Sequence, residues 1–202
     1  IKVAFESYRK ALDLAPAGEF VDDIHARLKV LSVTFLAKGI DEFNEKNYSA
    51  ALESFEMVLK ISPDDTSAIF NAGLTADKLD DFSKSAGYYS RLIDMKLYEA
   101  KKFMLLSNAL KSKGDTVKAL DAVMEGRKLF PDDYALLLLQ INIYLPLGKN
   151  KEAVALLKEA IVKDEKNESL YFALANTYDN LRVATKNAPG SDDYFSLADV
   201  AY

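Results

Sequence analysis

The chain contains no cysteine, no tryptophan and a single histidine, with five prolines and eight glycines among 202 residues. Without cysteine there is neither a disulfide framework nor a thiolate metal site, and cytoplasm and periplasm both remain open. The lone His25 lies beside Asp22 and Asp23 but has no third ligand near it. It is therefore expected as an exposed imidazole near a helix start, and no metal or other cofactor is expected. No apolar run is long enough to cross a bilayer, which takes about 20 residues. The most apolar stretch, 134–148 (YALLLLQINIYLPLG), is interrupted by Gln140, Asn142 and Pro146, so no direct membrane insertion is expected. Positive charge is not in excess: 26 Lys and Arg stand against 31 Asp and Glu, a net charge of -5, with lysines and acids alternating. That excludes nucleic acid as the main partner, because phosphate neutralisation needs a clustered basic surplus. A glycine-rich phosphate loop and a nucleophile–base constellation are also missing, so the chain is expected not to be an enzyme.

What the sequence does have is an internal repeat with a step of 34. The stretches KISPDD and LFPDD place Pro63 and Pro131 at twice that interval. Small residues recur at Ala51, Ser85, Ala119 and Ala153, each followed four positions later by a larger one: Phe55, Tyr89, Val123 and Leu157. Bulky residues keep the same step at Phe35, Ile69, Phe103, Leu137 and Tyr171, and turn-type residues keep it at Asn47, Asp81 and Asp115. Gly39 and Gly73 share the interval, as do Gly114 and Gly148. Between these marks apolar residues are spaced by three and four, as in YSAALESFEMVLKI. That is helical periodicity. Each unit reads as helix, turn, helix: proline stops the second helix, and the aspartate after it caps the next. Helices of roughly four turns are marginal alone in water. Each hairpin must therefore bury its face against its neighbours.

On these residues the chain resembles the tetratricopeptide repeat (TPR) family, in its bacterial form. The first clear unit carries Gly39, Tyr48, Ala51, Phe55 and Pro63, and the second carries Gly73, Phe82, Ser85 and Tyr89. The third carries Leu106, Gly114, Ala119, Gly126 and Pro131, and the fourth Tyr144, Gly148, Ala153, Leu157 and Ala160. Departures are Leu97 and Glu165 where a closing proline belongs, and Ile141 in place of the small first-helix residue. The resemblance implies an all-α fold: a right-handed superhelix of stacked antiparallel hairpins, with about four full repeats and partial repeats at both ends.

The expected division begins with a second helix of a partial repeat over 1–16 and a repeat with an extended first helix over 17–65. Repeats follow over 66–98, 99–133 and 134–167, then an interrupted one over 168–202 with an inserted loop near 182–193. The interval from Pro16 to Gly39 is more than twice that from Pro63 to Gly73, and a stripe of Ile24, Leu28, Leu31 and Phe35 fills the difference. A first helix of about 24 residues, some three turns longer than its neighbours, accounts for it. Ala198 and Tyr202 restore the small-then-aromatic pair after the loop. Both ends are expected to lie inside a longer array.

The resemblance implies that one face of the first helices lines a concave, peptide-binding groove. It brings together Leu36 and Ile40, then Phe70, Asn71, Leu74 and Lys78. Further along come Lys101, Met104, Asn108 and Lys111, then Leu138 and Asn142, then Phe172 and Asn176. The result is an apolar column beside an asparagine column at Asn108, Asn142 and Asn176, whose amides can donate to and accept from a peptide backbone. The same asparagines can serve as framework, bonding the neighbouring helix. The lysine and asparagine set needed to clamp a terminal carboxylate is incomplete, since Leu74 replaces one of its amides. The function expected is a non-catalytic scaffold that binds a peptide or helix of a partner protein. The alternative is a substrate-recruiting region of a larger enzyme or sensor; self-association through exposed array ends is a third reading. The resemblance tilts the compartment toward the periplasm.

Overall fold

A computed structural model of the chain describes residues 2–184. The described residues form ten helices and no strand. They divide into two compact units, Ile1–Tyr98 and Glu99–Tyr202. The first unit holds α1 (Lys2–Leu14), α2 (Val21–Asn44), α3 (Tyr48–Ile61), α4 (Thr66–Lys78) and α5 (Phe82–Asp94). The second holds α6 (Ala100–Ser112), α7 (Thr116–Leu129), α8 (Tyr134–Tyr144), α9 (Asn150–Lys163) and α10 (Glu168–Ala184). Successive helices pair as hairpins: α2 with α3, α4 with α5, α6 with α7, and α8 with α9. The residues Arg182–Ala184 continue α10, while the rest of the loop expected near 182–193, with Ala198 and Tyr202, lies outside the described residues.

The helix ends follow from local chemistry. Pro63 and Pro131 stand just beyond α3 and α7. Asp65, Asp81, Asp115 and Asp133 each accept a hydrogen bond from the third backbone N–H of the helix that follows, at 2.8, 3.0, 3.2 and 2.9 Å. Each satisfies a donor that a helix start leaves open. The turn inside every hairpin passes through one left-handed residue, Lys46, Asp80, Gly114 or Gly148, with φ of 64°, 55°, 92° and 66°. The next amide in each case donates back five residues, to the carbonyls of Glu42, Ala76, Leu110 and Tyr144 at 2.8 to 3.1 Å. This closes the first helix with the double bond of a Schellman turn.

Packing inside each hairpin turns on two facing columns. Ala51, Ser85, Ala119 and Ala153 are fully buried, as are Phe55, Tyr89, Val123 and Leu157. Across from the larger residues stand Gly39, Gly73, Ser107 and Ile141, spaced by 34. A Cβ at Gly39 would lie 2.7 Å from the Phe55 ring, and one at Gly73 would lie 2.7 Å from the Tyr89 ring. Glycine is needed there because an aromatic ring occupies the space of its missing side chain. In the later hairpins the small residue grows to Ser107 and Ile141 while its partner changes to Val123 and Leu157. The departure at Ile141 is thus matched by its neighbour: Ile141 and Leu157 share one buried cluster with Leu137, Leu174 and Tyr178. The bulky column Phe35, Ile69, Phe103 and Leu137 is buried, but its last member Tyr171 is 39% exposed.

Polar side chains add register. One hydrogen bond crosses each of three hairpins: Ser54 Oγ donates to Glu42 Oε2 at 2.6 Å, Tyr89 Oη to Asp77 Oδ2 at 2.6 Å, and Ser107 Oγ to the Ala119 carbonyl at 2.9 Å. Burial, and then the bond to Asp77, push the Tyr89 phenol well above its ordinary pKa. In the second unit Arg127 of α7 donates to Gln140 of α8 at 2.9 Å and to both carboxylate oxygens of Glu159 of α9 at 2.6 and 2.9 Å. With Gln140 on one guanidinium nitrogen and the Glu159 carboxylate on another, Arg127 ties three helices together.

Candidate functional site

The residues expected to form a binding face all lie on first helices; apart from the adjacent pair Phe70 and Asn71, neighbours within a helix are spaced by three or four, which keeps them on one side. In the first unit Leu36 and Ile40 sit on α2, and Phe70, Asn71, Leu74 and Lys78 sit on α4. Leu36 is half-buried, packing against the clusters beneath it, whereas Ile40 is 41% exposed. Phe70 and Leu74 are half-buried and Lys78 is exposed. The column therefore grades from packing to open surface along the unit.

In the second unit Lys101, Met104, Asn108 and Lys111 sit on α6, Leu138 and Asn142 on α8, and Phe172 and Asn176 on α10. Met104 is half-buried, and Leu138 is half-buried against the α8–α10 core. Phe172 is 62% exposed, a large aromatic surface left to solvent.

The asparagines do not behave alike. Asn71 Nδ2 donates to the Ser67 carbonyl at 2.9 Å, one turn back in its own helix, so that amide is engaged as framework. Asn176 is half-buried and has a partner. Asn108 and Asn142 are exposed and make no hydrogen bond among the described residues. Each has a donor and an acceptor available, the two groups that an extended backbone presents in alternation. Lys78 and Lys111 are exposed and joined to no carboxylate among the described residues; Lys101 is exposed and is engaged elsewhere. Lys78 in the first unit and Lys111 in the second each put an ammonium on the surface of their own unit.

Exposed apolar surface also extends beyond the periodic columns. Ala26, Val30, Val33, Ala37 and Ile40 form a stripe on α2 opposite its core residues Ile24, Leu28 and Phe35, with Val30 66% and Val33 63% exposed. Ala26 and Val30 belong to the added turns of α2, where no counterpart exists in later units, whereas Val33, Ala37 and Ile40 correspond to Ser67, Asn71 and Leu74. The only available signal was the excess length between Pro16 and Gly39. His25 is exposed on the same helix. No helix among the described residues is long and apolar enough to cross a membrane.

No family model matches the chain, and no curated protein matches it. Solved structures do. The fold is similar to that of MamA protein, with a TM-score of 0.68 and 14% identity, covering 85% of this chain and 91% of that one. It is also similar to YrrB, a TPR protein with an unusual peptide-binding site, with a TM-score of 0.63 and 12% identity, covering 96% of this chain and 91% of that one. At such identities the likeness speaks for the fold, and the fold of this chain, helices packed as sequential hairpins, is that of the tetratricopeptide repeat proteins.

Proposed function

We propose that this chain is a non-catalytic scaffold that holds a segment of a partner protein, peptide or helix, on the face of its first helices. The observation that carries this reading is the pair of uncommitted amides, Asn108 and Asn142, one turn beyond the apolar Met104 and Leu138. Amides without an intramolecular partner at a turn-spaced register beside apolar side chains match a ligand that offers backbone hydrogen bonds and intermittent side chains. YrrB, which shares the fold, has a peptide-binding site of its own.

The test uses peptides selected from a random library on the whole chain, with affinities measured for the native protein and for an Asn108→Ala, Asn142→Ala double variant. Two lost hydrogen bonds at roughly 0.7 kcal/mol each amount to about a tenfold weakening. Melting should stay unchanged, since both side chains are exposed. A ligand that binds both proteins equally removes the asparagines from the contact, and a library that yields no binder removes the reading itself.

A further inference from the structure

In the second unit a chain of hydrogen bonds joins α9, α7 and α8 and ends on a sulfur. Both carboxylate oxygens of Glu159 accept from Arg127 Nη2, and Arg127 Nη1 donates to Gln140 Oε1 at 2.9 Å. Gln140 Nε2 donates to Tyr144 Oη at 3.1 Å, and Tyr144 Oη donates to Met124 Sδ at 4.0 Å. The direction is forced at each step. A guanidinium has donors only, so the Gln140 amide turns its oxygen to Arg127 and its nitrogen to Tyr144. The phenol oxygen accepts that bond, and its single hydrogen goes to Met124. Gln140 and Tyr144 are both buried. The chain therefore starts on an anchored ion pair and finishes on a thioether, a weak acceptor.

Met124 is also the methionine that stands furthest into solvent. It is 37% exposed, whereas Met57 is buried and Met95 and Met104 are half-buried. Among the described residues, no other methionine sulfur receives a hydrogen bond. The position admits a polar group. One period on, Lys158 stands in the place of Met124 and Tyr178 in the place of Tyr144. There the ammonium lies 5.8 Å from the centroid of the Tyr178 ring.

We propose that Met124 is a sulfoxidation site, at which hydrogen peroxide converts the thioether to a sulfoxide that Tyr144 then holds. A sulfur lone pair attacks one peroxide oxygen, and the S–O bond forms as the O–O bond breaks. The departing hydroxide takes the proton of the transferred hydroxyl and leaves as water. Sulfur gives up two electrons and the peroxide accepts them. Tyr144 engages one lone pair of the sulfur, and the other is left for the oxidant. Rotation about Cγ–Sδ, easy in a flexible methionine at the surface, turns the new oxygen to Tyr144. That oxygen lies one bond length beyond the sulfur. It shortens a 4.0 Å contact to the range of about 2.5–3.0 Å found for O–H···O bonds. A weak terminal acceptor becomes a strong one, and the bonds behind it are polarised in turn. Methionine oxidation disrupts packing where the side chain lies in a core. At this position it tightens the joint between α7 and α8.

Dilute hydrogen peroxide on the whole native chain, then trypsin and mass spectrometry, follows each methionine separately. Cleavage after Lys and Arg puts Met57, Met95, Met104 and Met124 on four different peptides. Met124, in ALDAVMEGR, should gain oxygen at least about threefold faster than the others, and the difference should vanish in urea. Equal rates in the native chain would overturn the site. A chain carrying Met57→Leu, Met95→Leu and Met104→Leu keeps this one sulfur and isolates the consequence of its oxidation. After peroxide it should melt about 2–4 °C higher, the yield of one improved hydrogen bond, and Tyr144→Phe should abolish the rise. A melting temperature that falls or stays put, or a rise that survives Tyr144→Phe, overturns the proposal. Met124→Gln in the otherwise native chain gives a second measurement without peroxide, because its amide oxygen occupies the place of the sulfoxide oxygen. It should raise the melting temperature when Tyr144 is present and not alongside Tyr144→Phe; equal effects in the two backgrounds remove Tyr144 from the mechanism. No outcome involves a ligand on the first-helix face, so this proposal and the proposed function stand or fall separately.

Discussion

Rebuilding one hairpin with the packing of another tests the column that sets helix spacing. In α2–α3 the facing pair is Gly39 and Phe55, and in α8–α9 it is Ile141 and Leu157. A Cβ at Gly39 would sit 2.7 Å from the Phe55 ring, against the 3.4 Å at which ordinary contact begins, a shortfall of 0.7 Å. The ring is fully buried and cannot swing away. Gly39→Ile therefore forces four extra carbons into filled space, at the upper end of overpacking costs, about 3 kcal/mol. Phe55→Leu alone leaves part of the ring volume empty and costs about 1.5 kcal/mol. Together the two substitutions reproduce the α8–α9 pair, and the larger side chain enters the volume that the ring vacates. The double variant should lose only about 2 kcal/mol, a coupling of roughly 2.5 kcal/mol in its favour. Urea unfolding followed by far-ultraviolet circular dichroism measures all three variants, provided the dependence on urea keeps its slope. Additivity within about 0.5 kcal/mol would refute the argument, because the two positions would then not share one space.

The left-handed turn residues give a second expectation. Lys46→Gly and Asp80→Gly should each raise stability by roughly 0.5 kcal/mol in the same assay, since relief of the steric penalty on a side chain at positive φ exceeds the entropy that glycine loses on folding. A fall in stability would mean that these side chains do more at the turn than their exposure shows. Asp115 supplies a pH dependence. Its carboxylate accepts from the Lys118 backbone N–H and sits beside the Lys118 ammonium, which holds its pKa below the ordinary value. Its stabilising contribution is therefore complete above the unfolded-state pKa and is lost as pH falls through the lower folded-state value. Melting temperatures recorded across the acidic range should show the native chain losing more than an Asp115→Asn variant, and parallel curves would dismiss the cap as an energetic contributor.

Much of this architecture could be read because a repeated unit prints its constraints more than once. The small column at Ala51, Ser85, Ala119 and Ala153 and the caps at Asp65 and Asp133 mark positions where one chemistry is required in every copy. The turns were only half visible: Gly114 and Gly148 advertise positive φ, whereas Lys46 and Asp80 adopt it because the hairpin around them demands it, and neither side chain signals that. The face was visible as a column but its state was not. Asn108 and Asn176 stand in one register, two periods apart, yet Asn108 is exposed whereas Asn176 is half-buried and has a partner. That difference belongs to the surroundings, which periodicity does not encode.

The placement of α1 marks where a periodic reading ends. Ala4, Tyr8, Ala11 and Leu12 fit a second helix in step with α3, so pattern alone seats α1 against Ala50 and Ser54. The pattern sets which face of α1 is apolar but says nothing of where along α2 that face docks. Docking follows the apolar surface on offer, and the added turns of α2 present Ile24, Leu28 and Leu31 before Phe35 is reached. Burial of Phe5 among them, in one cluster with Met57 and Val58 of α3, fixes where α1 docks. An insertion in one helix thus bears on where its neighbour docks. Where the period breaks, comparison between repeats stops predicting and the packing has to be followed residue by residue.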